Sequence, residues 1–280
     1  MKSILILTDF SSATEQTIGY IKENGLQLGI QRILIYHSFG PQGIDTLVPD
    51  GIKIPILGDE HQLFENSIAT LQKLRNELLE VLQDVEIDVL IDSKPVVEAV
   101  HEIVQEKNID LVVLGINGSD DGGKNSVGKI PAHLMKNHSL DLLLVPSNSN
   151  SYRMDNVMLA CDLKNIVQIL PDKKLKEFVR DLNAHLFVVN VGEENDMDAV
   201  SLVQEQTVLH ELIDDLNPEF HYLKSKDTVP VLLQFAQSKQ VGLIVAVPLK
   251  RGFLENLFHK SETKKLTLNT SIPLLLMHKR

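Results

Sequence analysis

The amino-acid sequence predicts an α/β fold built as two tandem, open-twisted, five-stranded parallel-sheet domains. Three observations predict it. Short β-rich apolar runs alternate with segments whose apolar residues recur at helical spacing, the order of runs restarts just past the middle of the 280-residue chain, and three spaced glycines follow the fourth run.

Residues 3–8 (SILILT) form the first strand candidate, closed by Asp9, and Ser12, Ala13, Thr14 and Glu15 make a capping-box pattern ahead of a helix. Residues 32–37 (RILIYH) are the second strand candidate. A stretch carrying Pro41, Pro49 and Pro55 leads to a long helix with Leu71, Leu74, Leu78 and Leu82 on one face. Residues 85–91 (VEIDVLI) alternate as a third strand, Val96, Val100, Ile103 and Val104 mark another helix, and residues 111–114 and 142–145 are the fourth and fifth strands. Strands separated by helices of this length pair in parallel through right-handed crossovers, with helices on both faces of the sheet.

The pattern then repeats. Residues 156–162 (NVMLACD) copy the opening logic of an apolar run ending in aspartate, 185–191 parallel 32–37, 243–247 parallel 111–115, and 273–277 parallel 141–145. Residues 147–151 (SNSNS) have linker composition where the boundary should fall. The expected domains are 1–148 and 152–280.

The chemistry is concentrated in residues 111–129. Gly115 and Gly118 are separated by two residues, Gly118 and Gly128 by nine, and Gly128 opens a helical segment. Glycine lets backbone N–H groups approach an anion without a Cβ in the way, and a helix start supplies unsatisfied donors.

A first strand ending in Thr8-Asp9-Phe10-Ser11, a second ending in His37, and this glycine spacing together resemble the universal stress protein family, and the duplication resembles its tandem-domain members. The resemblance spans the chain as an order of elements, but its specific motif lies in the first half. It implies an adenine nucleotide alpha hydrolase-like, Rossmann-like fold and a stress-response or signalling module binding ATP, with Mg²⁺, in the first domain. Carried over residue by residue, it implies Asp9 at the ribose and adenine end, the backbone at Ser38 for adenine, and Gly115, Gly118 and Gly128 for the phosphates. Where the family follows the third glycine with Ser or Thr, this chain has Lys129, which trades a hydroxyl for a point charge. Asp120 and Asp121 repel a triphosphate unless a cation intervenes, and Lys124 offsets them in part.

In the second half the equivalent positions are Val247, Lys250, Lys260 and Ser261, so none of the glycines survives, and only Asp162 matches Asp9. This half is expected to be a degenerate structural partner. Lys250, Arg251, Lys260, Lys264 and Lys265 read as a solvated basic face.

Other chemistries fit less well. Residues 118–125 (GSDDGGKN) nearly match a P-loop, but Asn125 stands where a hydroxyl must hold Mg²⁺, and the loop follows the fourth strand. A pyrophosphatase-type Ser-Gly-Gly loop is missing after the first strand, where Asp9, Phe10, Ser11 and Ser12 stand. His133 and His138 are five apart and off one helix face, so no metal set is nominated, and Cys161 reads as a small buried hydrophobe. No catalytic residue is nominated because none is placed to orient an attacking water.

Composition sets the remaining bounds. Hydrophobic residues at 43% and charged residues at 23% are a globular balance, and a net charge of −11 argues against nucleic acid as partner. One cysteine fits a reducing compartment, and no run approaches the roughly 20 apolar residues of a membrane span, so a cytoplasmic location is expected. The alternative function is a nucleotide-independent, pseudo-dimeric scaffold for an unknown protein partner. The resemblance also implies that the final strands, 142–145 and 274–277, pair within the chain and cover two sheet edges, with a homodimer as a further level of assembly.

Overall fold

A computed structural model describes residues 2–39, 60–116, 128–135, 140–149, 153–163, 165–192, 199–247 and 270–279. The first half runs β1 (Ser3–Leu7), α1 (Ser12–Asn24), β2 (Arg32–Ser38), α2 (Glu60–Leu79), β3 (Glu86–Asp92), α3 (Val96–Glu106), β4 (Leu111–Ile116), α4 (Lys129–Leu134) and β5 (Leu142–Pro146). The second runs β6 (Asn156–Ala160), α5 (Ile166–Ile169), α6 (Asp172–Leu182), β7 (His185–Gly192), α7 (Ala199–Ile213), a 3₁₀ turn (Asp214–Leu216), β8 (Glu219–Lys224), α8 (Thr228–Ser238), β9 (Leu243–Ala246) and β10 (Leu274–Leu276).

The strands form one ten-stranded sheet in the order β3-β2-β1-β4-β5-β10-β9-β6-β7-β8. Each half has the same internal order, and within each half every pair is parallel. The expected pairing of final strands is present: β5 and β10 run antiparallel, with Leu142, Leu143 and Leu144 opposite Leu276, Leu275 and Leu274. Two apolar edges that would otherwise recruit strands from other chains are thereby closed against each other.

Alternation along the strands divides the core into two layers. Ile4 and Ile6 point to one face and Leu5 and Leu7 to the other, and all four are buried. On the first face α1, α2 and α6 contribute Ile18, Leu71, Leu78 and Leu175; on the second, α3, α4 and α8 contribute Val100, Leu134 and Leu232. Both layers include residues from each half, so the apolar core continues across the seam.

Polar ties reinforce the seam. Along α1, Gln16 Nε2 donates to Ser149 O at 2.9 Å and the Tyr20 hydroxyl meets Met154 Sδ at 3.3 Å, and in the turn that follows the helix Gln27 Nε2 donates to Leu182 O at 3.3 Å. At the start of β5, the fully buried Asp141 accepts the His278 N–H at 3.0 Å and pairs with Lys174 of α6.

Two local expectations need correction. The capping box at Ser12 and Glu15 is not used: Ser11 is the N-cap, without a side-chain bond, and the upstream Asp9 supplies the oxygen. Leu82 is buried but follows the end of α2, in a turn where its N–H reaches Leu78 O at 2.8 Å. The third strand of the second half, β8, escapes the apolar-run signal because it is an edge strand, with Glu219, His221 and Lys224 among its six residues.

Candidate functional site

In the order β3-β2-β1-β4-β5, the chain leaves β1 toward β2 on one side and later returns to lay β4 on the other. The strand order therefore reverses between β1 and β4. Crossover connections diverge at such a point and leave a crevice beyond the carboxyl ends of the strands. A cleft open to solvent lies there, bounded by Asp9, Thr14, Tyr36, Ser38, Val96 and Ile130 among others.

Asp9 is placed by a sharp turn. Phe10 adopts φ 61°, a left-handed conformation that costs a bulky residue about 1–3 kcal/mol. Two contacts hold it: its N–H donates to Thr8 Oγ1 at 3.0 Å, and its ring lies 4.2 Å from that of His37. His37 Nδ1 in turn donates to Thr8 O at 2.8 Å, since a carbonyl can only accept. The turn brings the Asp9 carboxylate over the start of α1, where it accepts the Ser11 N–H at 3.0 Å and the Thr14 hydroxyl at 3.2 Å. Partial burial pushes this carboxyl up, but the hydrogen bonds from Ser11 and Thr14 outweigh it and hold the group below its ordinary value of 3.8. Asp9 is thus ionised at neutral pH.

Ser38 and Tyr36 alternate on β2 and share a face. Thr8 N–H bonds to Tyr36 O at 3.0 Å, so the backbone groups of Ser38, two residues on, lie along the same edge of β2 at the level where β1 has already ended. The Ser38 side chain is occupied, with Oγ donating to Lys94 O at 2.6 Å, and the Tyr36 hydroxyl donates to Asp92 Oδ1 at 2.7 Å. Burial and then the Asp92 carboxylate raise the Tyr36 pKa and keep the phenol protonated. These bonds fix the turn between β3 and α3, whose Val96 walls the cleft.

The glycines separate by role. A Cβ on Gly115 would stand 2.5 Å from Ala13 O and 2.8 Å from Ala13 Cβ, so this glycine lets α1 lie directly on β4. Among the described residues a Cβ on Gly128 would meet Pro131, at 3.4 Å, an ordinary contact. Packing against the described residues therefore explains Gly115 and does not explain Gly128. Gly128 and Lys129 are exposed at the start of α4, next to the cleft-lining Ile130 and Pro131. Gly118, with Asp120, Asp121 and Lys124, lies outside the described residues, as do His138, Lys250, Arg251, Lys260, Ser261, Lys264 and Lys265. The sequence reading did not nominate Tyr36, although its place two residues before Ser38 on β2 was a signal for it, and Val96 and Ile130 reach the cleft from distant helices and carry no local signal. Among the described residues no group of three or more His, Cys, Asp and Glu side chains is arranged to hold a metal, and no helix is long and apolar enough to cross a membrane.

The second half repeats this framework and closes it. Register places Cys161, Asp162 and Asn190 where Thr8, Asp9 and His37 stand, and Asn190 Nδ2 donates to Cys161 O at 3.0 Å, as His37 does to Thr8 O. Val247 takes the place of Gly115 next to β9, and where α1 runs thirteen residues between its strands the second half has α5, of four residues, followed by α6, of eleven. Glu205 of α7 accepts the Asn165 and Ile166 N–H groups at 3.1 and 2.9 Å, so the chain's own carboxylate covers the start of α5. Cys161 is buried, and burial followed by the Asp162 charge pushes its thiol up to about 12. It is expected to resist alkylation at pH 8 in the native protein and to react rapidly in denaturant; equal rates in a thiol-reagent assay would contradict this burial.

A family model described as the universal stress protein family matches residues 1–146. Of solved structures, a universal stress protein from Archaeoglobus fulgidus DSM 4304 superposes with a TM-score of 0.71 at 13% identity, covering 99% of this chain and 98% of that one. A protein of unknown function from Pseudomonas aeruginosa PAO1 gives 0.57 at 12% identity, covering 99% and 92%. At these identities the likeness is one of fold. No curated protein sequence matches. With over half its length matched by the family model, and a sheet that turns at β1 and β4 around Asp9, the chain belongs to the universal stress protein family.

Proposed function

We propose that residues 1–148 are an adenine-nucleotide-binding module and that residues 152–280 are its degenerate partner, the whole serving stress response or signalling. The observation that carries this reading is the cleft at the β1/β4 reversal, with an ionised carboxylate at one wall and the β2 edge at Ser38 on another. The residues fit a nucleoside: Asp9 accepts hydrogen bonds from ribose hydroxyls, the backbone of Ser38 meets the polar edge of adenine, and Leu7, Val96 and Leu114 enclose its apolar faces. Gly128, which packing among the described residues does not explain, would let a phosphate pass close to the backbone, with Lys129 next to it and Gly118 ten positions earlier in the same loop sequence. ATP, with Mg²⁺ screening its charge, is the ligand this reading names, and no residue is assigned to its hydrolysis.

The test is calorimetric titration of Mg²⁺ and ATP into the purified chain beside Val96→Trp, which fills the cleft from a half-buried helix position. The expected result is one site per chain, lost in the variant. Wild-type protein that binds no nucleotide at millimolar ATP overturns the reading. The nucleotide-independent scaffold would then stand, favoured by the β5–β10 seam, through which one chain makes a pseudo-dimer by itself.

A further inference from the structure

We infer that His37 is a positioning residue for this site: its ring ends the β1–β2 ladder one rung early and so leaves the Ser38 backbone N–H and C=O open to the cleft. This role rests on the adenine-nucleotide reading above and deepens it, by naming what exposes the strand edge that adenine is to meet.

The register shows which rung is missing. β1 and β2 pair in parallel from Ser3 opposite Arg32 to Leu7 opposite Tyr36, and Thr8 adds one more bond, its N–H donating to Tyr36 O at 3.0 Å. In a parallel ladder a residue sends its own N–H and C=O to the same side, and the bonds alternate between the strands. The next rung would therefore run from the Ser38 N–H to Thr8 O. It is not formed: the pairing stops at Leu7, and Thr8 O accepts from His37 Nδ1 at 2.8 Å. On its other side β2 stays laddered to its end, with Ser38 opposite Asp92 and the Phe39 N–H on Asp92 O at 2.9 Å. The edge is thus opened toward β1 alone, where Leu7, Thr8 and Ser38 together line the cleft.

The Ser38 hydroxyl is already spent on Lys94 O, at 2.6 Å, so the backbone groups are what this residue has to offer a ligand. A part-buried carbonyl such as Thr8 O demands a donor. Without the imidazole the donor next in register is the Ser38 N–H, and the sheet would close over the edge. Two contacts hold the ring in place: the bond to Thr8 O and the Phe10 ring, 4.2 Å away.

The second half ends its ladder in the same way with a different side chain. β6 and β7 pair as far as Ala160 opposite Val189, the Cys161 N–H donates to Val189 O at 3.2 Å, and Cys161 O accepts from Asn190 Nδ2 at 3.0 Å. An imidazole and a carboxamide therefore stand at one register position and make the same bond to the same carbonyl. Ring shape and volume differ between them, and what they share is a side-chain N–H at that reach.

The experiment follows amide exchange by NMR in the ligand-free full chain, and Mg²⁺-ATP affinity by calorimetry, in the wild type, His37→Ala and His37→Asn. In the wild type the Ser38 amide is expected to exchange at least about tenfold faster than the laddered Phe39 amide. In His37→Ala it should join the ladder and slow to the Phe39 rate, while ATP binds at least about tenfold more weakly. His37→Asn carries the donor that the second half uses, and it should keep the fast exchange and bind within about threefold of the wild type. A wild-type Ser38 amide as protected as that of Phe39 overturns the inference and leaves the nucleotide reading intact. So does an equal loss of affinity in both variants, which would assign the effect to the ring's packing on Phe10 and not to its bond. Wild-type protein that binds no nucleotide at millimolar concentration overturns the nucleotide reading and this role with it.

Discussion

Replacing Asp141 by alanine is expected to lower the stability of the folded chain by about 3 kcal/mol, or roughly 6–12 °C in Tm for a chain of this size. Asp141 is fully buried where the two halves meet, accepts the His278 N–H from beyond β10, and pairs with Lys174 of α6. Its removal strands two groups, the His278 amide and the Lys174 ammonium. The Lys174 side chain is 31% exposed and can turn toward water, which keeps the loss near the lower end for a broken buried pair. Asp141→Asn retains an oxygen for the His278 amide and should recover part of it. Urea unfolding of the three proteins decides the matter, and equal midpoints would mean that the seam holds without this charge.

The same residue sets an acid limit. Burial raises the Asp141 pKa, but the hydrogen bonds from His278 and Lys174 and the Lys174 charge outweigh it and lower it below 3.8. The folded state therefore binds this proton more weakly than the unfolded state does. The stabilisation is complete above the unfolded pKa and disappears as pH falls through the folded one. Wild-type stability should accordingly drop below about pH 4 by more than that of Asp141→Asn, which has no such proton to take up.

The second large effect is expected at Gly115. Substitution by valine, the residue at the matching position of the second half, puts a Cβ 2.5 Å from Ala13 O. The obstructing atom is backbone, so no rotamer change relieves it, and α1 must lift from β4 at a cost of about 3 kcal/mol. Gly128→Ala places its Cβ 3.4 Å from Pro131 and should change stability by less than about 0.5 kcal/mol. Thermal melts of the pair separate a glycine required by packing from one that packing leaves open. Comparable losses in both would refute the division.

Much of the fold was legible because its strands are central ones. β1, β4, β5 and β6 are buried on both faces and read as continuous apolar runs, and the repeat of those runs revealed the duplication. β8 was not legible, because an edge strand that meets water carries charged residues and loses the apolar signal. Asp9 stood out by its place at the end of the first strand and Ser38 only through the family resemblance, whereas the glycine spacing joined unlike positions: Gly115 is required by the packing of α1, and a Cβ at Gly128 makes an ordinary contact among the described residues.

By itself the sequence determined the alternation of elements, the duplication and the loss of the glycines from the second half, since all of these are written in local pattern and in comparison of one half with the other, whereas the pairing of the final strands came from the family resemblance. The tertiary structure decided what depends on distance between remote residues. It set α1 against Gly115, brought Val96 and Ile130 to the rim of the cleft, placed Glu205 on the start of α5 and buried Asp141 beneath Lys174 and His278. Periodicity records which face of an element is buried, but not which distant side chain will meet it there.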